Sequence, residues 1–598
     1  MKYARRIILV LGLVTALAVP ATAGAQTVVT SGMTRLGGDP TVAPVRMSDL
    51  AFLGNTAYAG TYSGFKIYDF TNPAAPQLLT NFQCGATPGG ASQGDVSVWR
   101  ANGRTLLFRS VDSPQSKPEC DRVPQSPGWE GIDIFDVTTP AAPVWLKGVA
   151  TDCGSHTHTL VPDTANGRVL LYVSSYPAAG LSSTPTAYGN TCEREATTGP
   201  GTRHDKISIV EVPLAAPQNA SVIAEPQLNL DGNFTGVAGF KGCHDITVFV
   251  ELDLAAGACL TEGVIMDISN PVAPVIRNRL VNPNIDVCSK QAPPAGMQLC
   301  LWHSATFTWD GRYVVFGDEA GGGGGSECAA DDPATKGAFW IHRVATPTSP
   351  IASFKIPRPQ TAVNSSYQNC TAHIMNFVPI NGRYVLPSSW YSGGTSVINW
   401  TNPSSPQEIA YFEVEPGALG NFDPAQTNTW TTYWYRDLMF TMDGGNTPNV
   451  GGTNNGGQRG FEIFRLDQPW RTAAWNLARF NPQTQESLLR CRAASHGDRL
   501  RAKRRGMVHV QVRVLGQAVV GTRVNIRASG VRMSKRTNAA GEASFRVRPA
   551  RRGTLRVTVP AALNMLGCQT SRRVAAAPSA GGAAGAGGGG AALTGRPA

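Results

Sequence analysis

Seven times along this chain of 598 residues a short alternating strand runs into a proline-bearing turn. The clearest copies are GFKIYDFTNPAAP at 64–76, GIDIFDVTTPAAP at 131–143, EGVIMDISNPVAP at 262–274 and GTSVINWTNPSSP at 394–406. Weaker copies begin at Ile207, Ala338 and Phe461. Each alternates Ile, Val or Phe with other residues, the period of a strand with one buried face. Proline fixes its own φ and restricts the residue before it, so the strand stops there. Further strands flank most copies, such as DGRYVVFGD at 310–318 before one and QLLTNF at 77–82 after another. The count is about four short strands per unit. Tandem four-stranded units predict an all-β chain, a seven-bladed β-propeller over residues 26–478. The stretch before Ser48 is placed to complete the last blade. Insertions at 112–128, 176–204, 282–299 and 319–335 lengthen the units.

The strand–Asn-Pro unit resembles the LVIVD repeat of surface-associated propellers in bacteria and archaea, over about residues 45–470. The resemblance implies the fold and a surface location, and no particular activity.

Residues 1–25 read as a secretory signal peptide. Lys2, Arg5 and Arg6 precede the run IILVLGLVTALAV, and Ala23-Gly24-Ala25 supplies a cleavage site. The expectation is a secreted or cell-surface protein with no transmembrane helix. Its 12 cysteines then meet an oxidising compartment, where disulfides are the default. Ten of them, from Cys84 to Cys370, fall in the propeller, and Cys120, Cys192, Cys288 and Cys328 fall in or beside the insertions. Their connectivity is open.

Cys153, Cys300 and Cys370 each stand three residues before a histidine, and Cys243 is adjacent to one. In an exported chain this reads as a disulfide cysteine beside a histidine rather than a thiolate–imidazole ligand pair. His156, His244, His303 and His373 each lie seven residues before the turn that opens the second strand. They are therefore equivalent corners of four consecutive blades, expected at one mouth of the channel. His158, two residues beyond His156, points to the same face of its strand. The first two units carry Ser48-Asp49 and Gly94-Asp95 at this corner, and the last offers Asn428 or Thr429.

Two readings of His156, His158, His244, His303 and His373 stand. Each ring hydrogen-bonds a neighbouring blade, as a buried polar group must. Alternatively, neutral imidazoles converge on a transition metal, copper or zinc. Copper-dependent methanethiol oxidases and selenium-binding proteins are similar in architecture and histidine placement. No Walker loop or His-Glu-x-x-His motif is present, so the common signatures of NTPases and zincins are missing. The Gly-rich runs after Asp318 and Asp443 lack EF-hand spacing and read as hairpin loops.

Composition changes after residue 478. Arg490 to Arg573 hold 20 Lys or Arg against two acids, although the whole chain is only +11. Strand-like runs such as MVHVQVRVLG and ASFRVRP predict a small β-sandwich over 479–575, with Cys491 and Cys568 pairing across its ends. It resembles bacterial immunoglobulin-like and carboxypeptidase-regulatory-like domains. Residues 576–598 form a Gly/Ala-rich flexible tail. So basic a module suits an anionic partner such as an acidic polysaccharide or another envelope polyanion, with nucleic acid disfavoured outside the cell. The leading functional reading is an exported propeller that binds a ligand, polysaccharide or protein partner. The alternative is a secreted metal-dependent oxidase or lyase using the histidine cluster.

Overall fold

The computed structural model describes residues 28–577 apart from 41–46, 85–93, 117–128, 176–203, 231–241, 261, 285–300, 321–331, 359–368, 381, 415–427, 444–458, 475, 487–488, 515–516, 561–564 and 567. The segment expected to be a signal peptide and Cys120, Cys192, Cys288, Cys300 and Cys328 lie outside the described residues, as does all but the first two residues of the tail. The described elements are strands, bridges and short 3-10 turns.

Among the described residues, seven sheets follow one another along residues 28–485. The first is built from Met47–Leu53, Thr56–Thr61, Gly64–Asp69 and Gln77–Gln83, paired antiparallel in chain order. Hydrogen bonds between inner strands join the sheets into a ring. Ser48 Oγ donates to the Gly94 carbonyl, Ser97 Oγ meets His158 Nε2 and Thr157 Oγ1 donates to the His244 carbonyl. Thr247 then donates to Ala305, Ser304 to His373, and the Asn376 amide to the Trp434 carbonyl. Thr431 Oγ1 closes the circle 3.5 Å from Asp49 Oδ1. Met33–Asp39 pairs with Phe461–Leu466 as the outer strand of the last sheet, as expected for a closing N-terminus. Val28–Ser31 pairs with Gln407–Val414 on the sheet before it. One stretch of chain thus fastens two sheets.

The repeated motif has a local cause. Asp69, Asp136, Asp267 and Asn399 end their strands, and each side-chain oxygen accepts the N–H two residues on. Asn72, Asn270 and Asn402 do the same in the following turn. These Asx turns stop the strand where proline forbids its continuation. Between sheets, aromatic rings fill the core, as where Phe52 stacks on Tyr435 at 4.8 Å and meets Phe440 at 4.6 Å.

Residues 479–486 return to the ring. Arg479–Phe480 pairs with Phe52–Leu53 of the first sheet, and Thr484–Gln485 runs parallel to Val248–Phe249 of the fourth. The Asn481 amide bonds both backbone groups of Val98, and the Gln485 amide both of Phe307. Thr484 Oγ1 reaches the Leu160 carbonyl at 2.8 Å. This plug satisfies inner-edge backbone groups in five of the seven sheets, groups that would be costly to bury unpaired.

The sandwich follows. Gly506–Val514 pairs with Leu489–Gly497 and Glu542–Val547 in one layer. Val531–Arg536, Arg523–Ala528, Gly553–Val559 and Cys568–Val574 form the other in that order. Val508, Val510, Val512, Ile526, Phe545 and Val557 are fully buried between them. Cys491 is bonded to Cys568, tying the first strand to the last.

Candidate metal centre

The four equivalent histidines come together where the inner strands begin. The ring centroids of His156 and His244 are 4.2 Å apart, those of His244 and His303 3.8 Å, and those of His303 and His373 4.4 Å. The four imidazoles form a continuous arc across consecutive sheets. His244, His303 and His373 are all at least 95 % buried.

Three of the rings have Nδ1 fixed by an acceptor. His156 Nδ1 donates to Asp112 Oδ2 at 2.9 Å, His244 Nδ1 to Asp245 Oδ1 at 3.1 Å, and His373 Nδ1 to the Trp430 carbonyl at 2.5 Å. Such partners select the Nδ1–H tautomer and leave the Nε2 lone pair for a ligand. His303 Nδ1 is buried without a hydrogen-bond partner, 4.0 Å from Asp245 Oδ2, and its Nε2 lies 3.8 Å from Glu319 Oε2. Burial holds His244 and His303 well below the ordinary imidazole range, with neighbouring imidazoles adding to the effect. Burial brings His373 down to about 3. These three rings are neutral at pH 7, the form that ligates metal.

Carboxyl groups lie one residue deeper. Asp49, Asp95 and Asp245 line the same cavity as His244, His303 and His373, and no Lys or Arg lines it among the described residues. Burial pushes Asp49 and Asp245 up to about 7 and also raises Asp95, with the charge of Asp49 next in effect. Asp95 Oδ1 and Asp245 Oδ2 are buried with no hydrogen-bond partner. Unmet acceptors and lone pairs facing one small cavity, with no cationic side chain, make a donor set suited to a metal cation. Two overlapping triads have donor atoms mutually within 4.8 Å, His244–Asp245–His303 and His303–Glu319–His373.

His158 stands apart from this arc. Its Nε2 meets Ser97 Oγ at 2.7 Å and its Nδ1 meets Ser110 Oγ at 2.8 Å, so both nitrogens are occupied between blades. It fits the structural reading and not the ligand reading. Cys153 and Cys370 are disulfide-bonded, which removes them as thiolate ligands. Cys243 pairs with Cys259 on the adjacent strand of its own sheet rather than with an inserted loop. In the last unit the residue at the cluster is Trp430, not Asn428 or Thr429, because a register shift between Thr429 and Thr431 displaces the strand. Trp430 and Tyr391 pack on His373 at 4.8 and 4.4 Å, and Tyr62 meets the edge of Trp430. Asp245 was legible in sequence, since it follows His244 as Asp49 follows Ser48 and Asp95 follows Gly94. Asp112, Tyr391 and Tyr62 carried no such signal.

Fold and site define an all-β protein with a propeller, a small histidine-lined cavity and disulfides. No family model matches the chain, and no curated protein does. Among solved structures it is similar to a lectin of Aleuria aurantia at 8% identity and a TM-score of 0.32, covering 62% of this chain and 98% of that one. It is also similar to a structural genomics protein of unknown function from Bacteroides thetaiotaomicron at 10% identity and a TM-score of 0.26, covering 71% and 99%. Likeness at this level carries no argument about activity. Among the described residues no helix is long and apolar enough to cross a membrane.

Proposed function

We propose that this is an exported metal-binding propeller of the LVIVD-repeat kind. His244 and His303 with Asp245, or His303 and His373 with Glu319, hold a first-row transition metal, and His156 stands against His244 at the end of the arc. The observation that carries the reading is the 2.8 Å approach of His156 Nε2 to His244 Nε2, with Nδ1 of each ring donating to a carboxylate. In that tautomer two lone pairs face each other, and a positive charge between them relieves the repulsion. Metal–nitrogen bonds of about 2.0–2.1 Å at a tetrahedral angle put two ligand nitrogens about 3.3 Å apart. An opening of about 0.5 Å, within the reach of side-chain rotation, accommodates an ion. Imidazole with carboxylate suits zinc or copper better than calcium or magnesium. The bound metal supplies Lewis acidity, or redox chemistry if it is copper. The protein supplies orientation through Asp112, Asp245 and the Trp430 carbonyl, and an aromatic wall of Tyr62, Tyr391 and Trp430 beside the site.

The signal peptide and the disulfides support export, and the basic sandwich supports retention near an anionic envelope. Metal content of the purified protein, measured by mass spectrometry after dialysis, tests the centre. About one equivalent of zinc or copper in the wild type, lost in His303→Ala with circular dichroism unchanged, is the expected result. No metal in the wild type, even after incubation with zinc and copper, leaves the alternative of a metal-free binding module. In that case the 2.8 Å contact between the two Nε2 atoms is a hydrogen bond from one neutral ring to the other.

A further inference from the structure

We infer that the outer face of the second sandwich sheet is a binding surface for a linear acidic polysaccharide. The face has a row structure set by strand register. Arg527 is directly opposite Arg532 on one side and Arg556 on the other, so three exposed guanidinium groups stand side by side across three strands. Arg523 opposite Arg536 forms a second basic row. Between the two rows Asn525 is flanked by Ser534 and Thr558. The opposite faces of these strands carry Val524, Ile526, Leu555 and Val557 in the core, which fixes the arginines outward.

Like charges directly opposite on neighbouring strands destabilise a sheet. Here the repulsion is not relieved within the chain, since none of the five arginines forms an ion pair among the described residues. Adjacent strands are about 4.7–4.9 Å apart, near the length of one sugar ring in an extended chain, and the two basic rows are about 13 Å apart along the strands. Guanidinium forks pair with carboxylate or sulfate groups, and the Ser–Asn–Thr row between them matches sugar hydroxyls. These rows hold no aromatic side chain on which unpaired bases would stack, which argues against single-stranded nucleic acid. They present no apolar side chain to insert into a bilayer.

This inference deepens the reading of the sandwich as an envelope tether and is independent of the metal centre. The test uses the full chain with alginate (carboxylated) and heparin (sulfated) as probes, and neutral dextran, single-stranded DNA and phosphatidylglycerol vesicles as comparisons. The expected result is binding to alginate or heparin that weakens at least about tenfold between 50 and 300 mM salt. Arg527→Ala with Arg556→Ala should weaken it at least about tenfold, while Arg499→Ala with Arg505→Ala, elsewhere on the sandwich, should change it by less than about threefold. The first pair should also raise the melting temperature at low salt, because it removes cross-strand repulsion. Tighter binding to DNA or vesicles through the same arginines would overturn the polysaccharide assignment and leave the tether reading standing. No binding to any polyanion, or binding unaffected by the first pair, would overturn the assigned face.

Discussion

His156 Nε2 lies 2.8 Å from His244 Nε2, and Asp112 holds the far nitrogen of His156 at 2.9 Å. The carboxylate fixes which nitrogen is presented. Asp112→Asn keeps the volume and removes the charge. It should lower metal affinity about 10–100-fold, as loss of an outer partner to a ligating imidazole does. Competition with a chelator of known affinity measures this, with the melting temperature of the metal-free protein as the control.

His158 separates the structural from the ligating histidines. His158→Ala strands the Ser97 hydroxyl between blades, while Ser110 Oγ keeps Ser155 Oγ at 2.8 Å. It should destabilise the protein by about 1–3 kcal/mol in denaturant unfolding while leaving metal stoichiometry unchanged. A loss of metal without loss of stability would reverse the assignment.

The plug gives a third prediction. Asn481→Ala removes the amide that serves both backbone groups of Val98, and Gln485→Ala does the same at Phe307. Each buried pair left unmet costs about 1–3 kcal/mol. The melting temperature of the propeller transition should fall in both variants, with the sandwich transition unchanged.

Acid sensitivity has a definite sign at His342, whose Nδ1 donates to the Pro347 carbonyl at 2.7 Å. Burial lowers this imidazole to about 4. Between pH 6.5 and 4 the unfolded chain therefore binds a proton that the folded one refuses. The stability linked to neutral His342 is fully present above pH 6.5 and is lost as pH falls toward 4. From pH 7 to 5, wild type should lose about 2 kcal/mol more than His342→Gln. Urea unfolding at the two pH values checks the difference. Equal losses would show that His342 is protonated in the folded state.

Much of the architecture was legible in the sequence because one device repeats. Pro and Asx residues after an alternating strand stop the chain at a fixed place, as at Asp69 and Asp267, so strand ends could be counted. The convergence of His156, His244, His303 and His373 follows from equal spacing to the second strand. What spacing does not carry is side-chain direction. His158 follows His156 by two residues, yet His156 lies before the strand Thr157–Asp163 and not on it, so one ring lies between blades and the other in the arc. Asp112 and Tyr391 reach the site from elements with no fixed offset to the histidines. The return of Arg479–Glu486 to the inner strands is invisible to periodicity, because single amides such as Asn481 and Gln485 make the contacts without a repeat.

The central claim is that the imidazole arc is a metal site. X-ray absorption at the copper or zinc edge, on protein loaded with one equivalent of that ion, tests it most directly. The account predicts three to four nitrogen or oxygen scatterers at about 2.0–2.1 Å with the outer-shell pattern of imidazole. His156→Ala combined with His303→Ala should abolish that pattern. Scattering without imidazole, or an imidazole pattern that survives the double substitution, would contradict it.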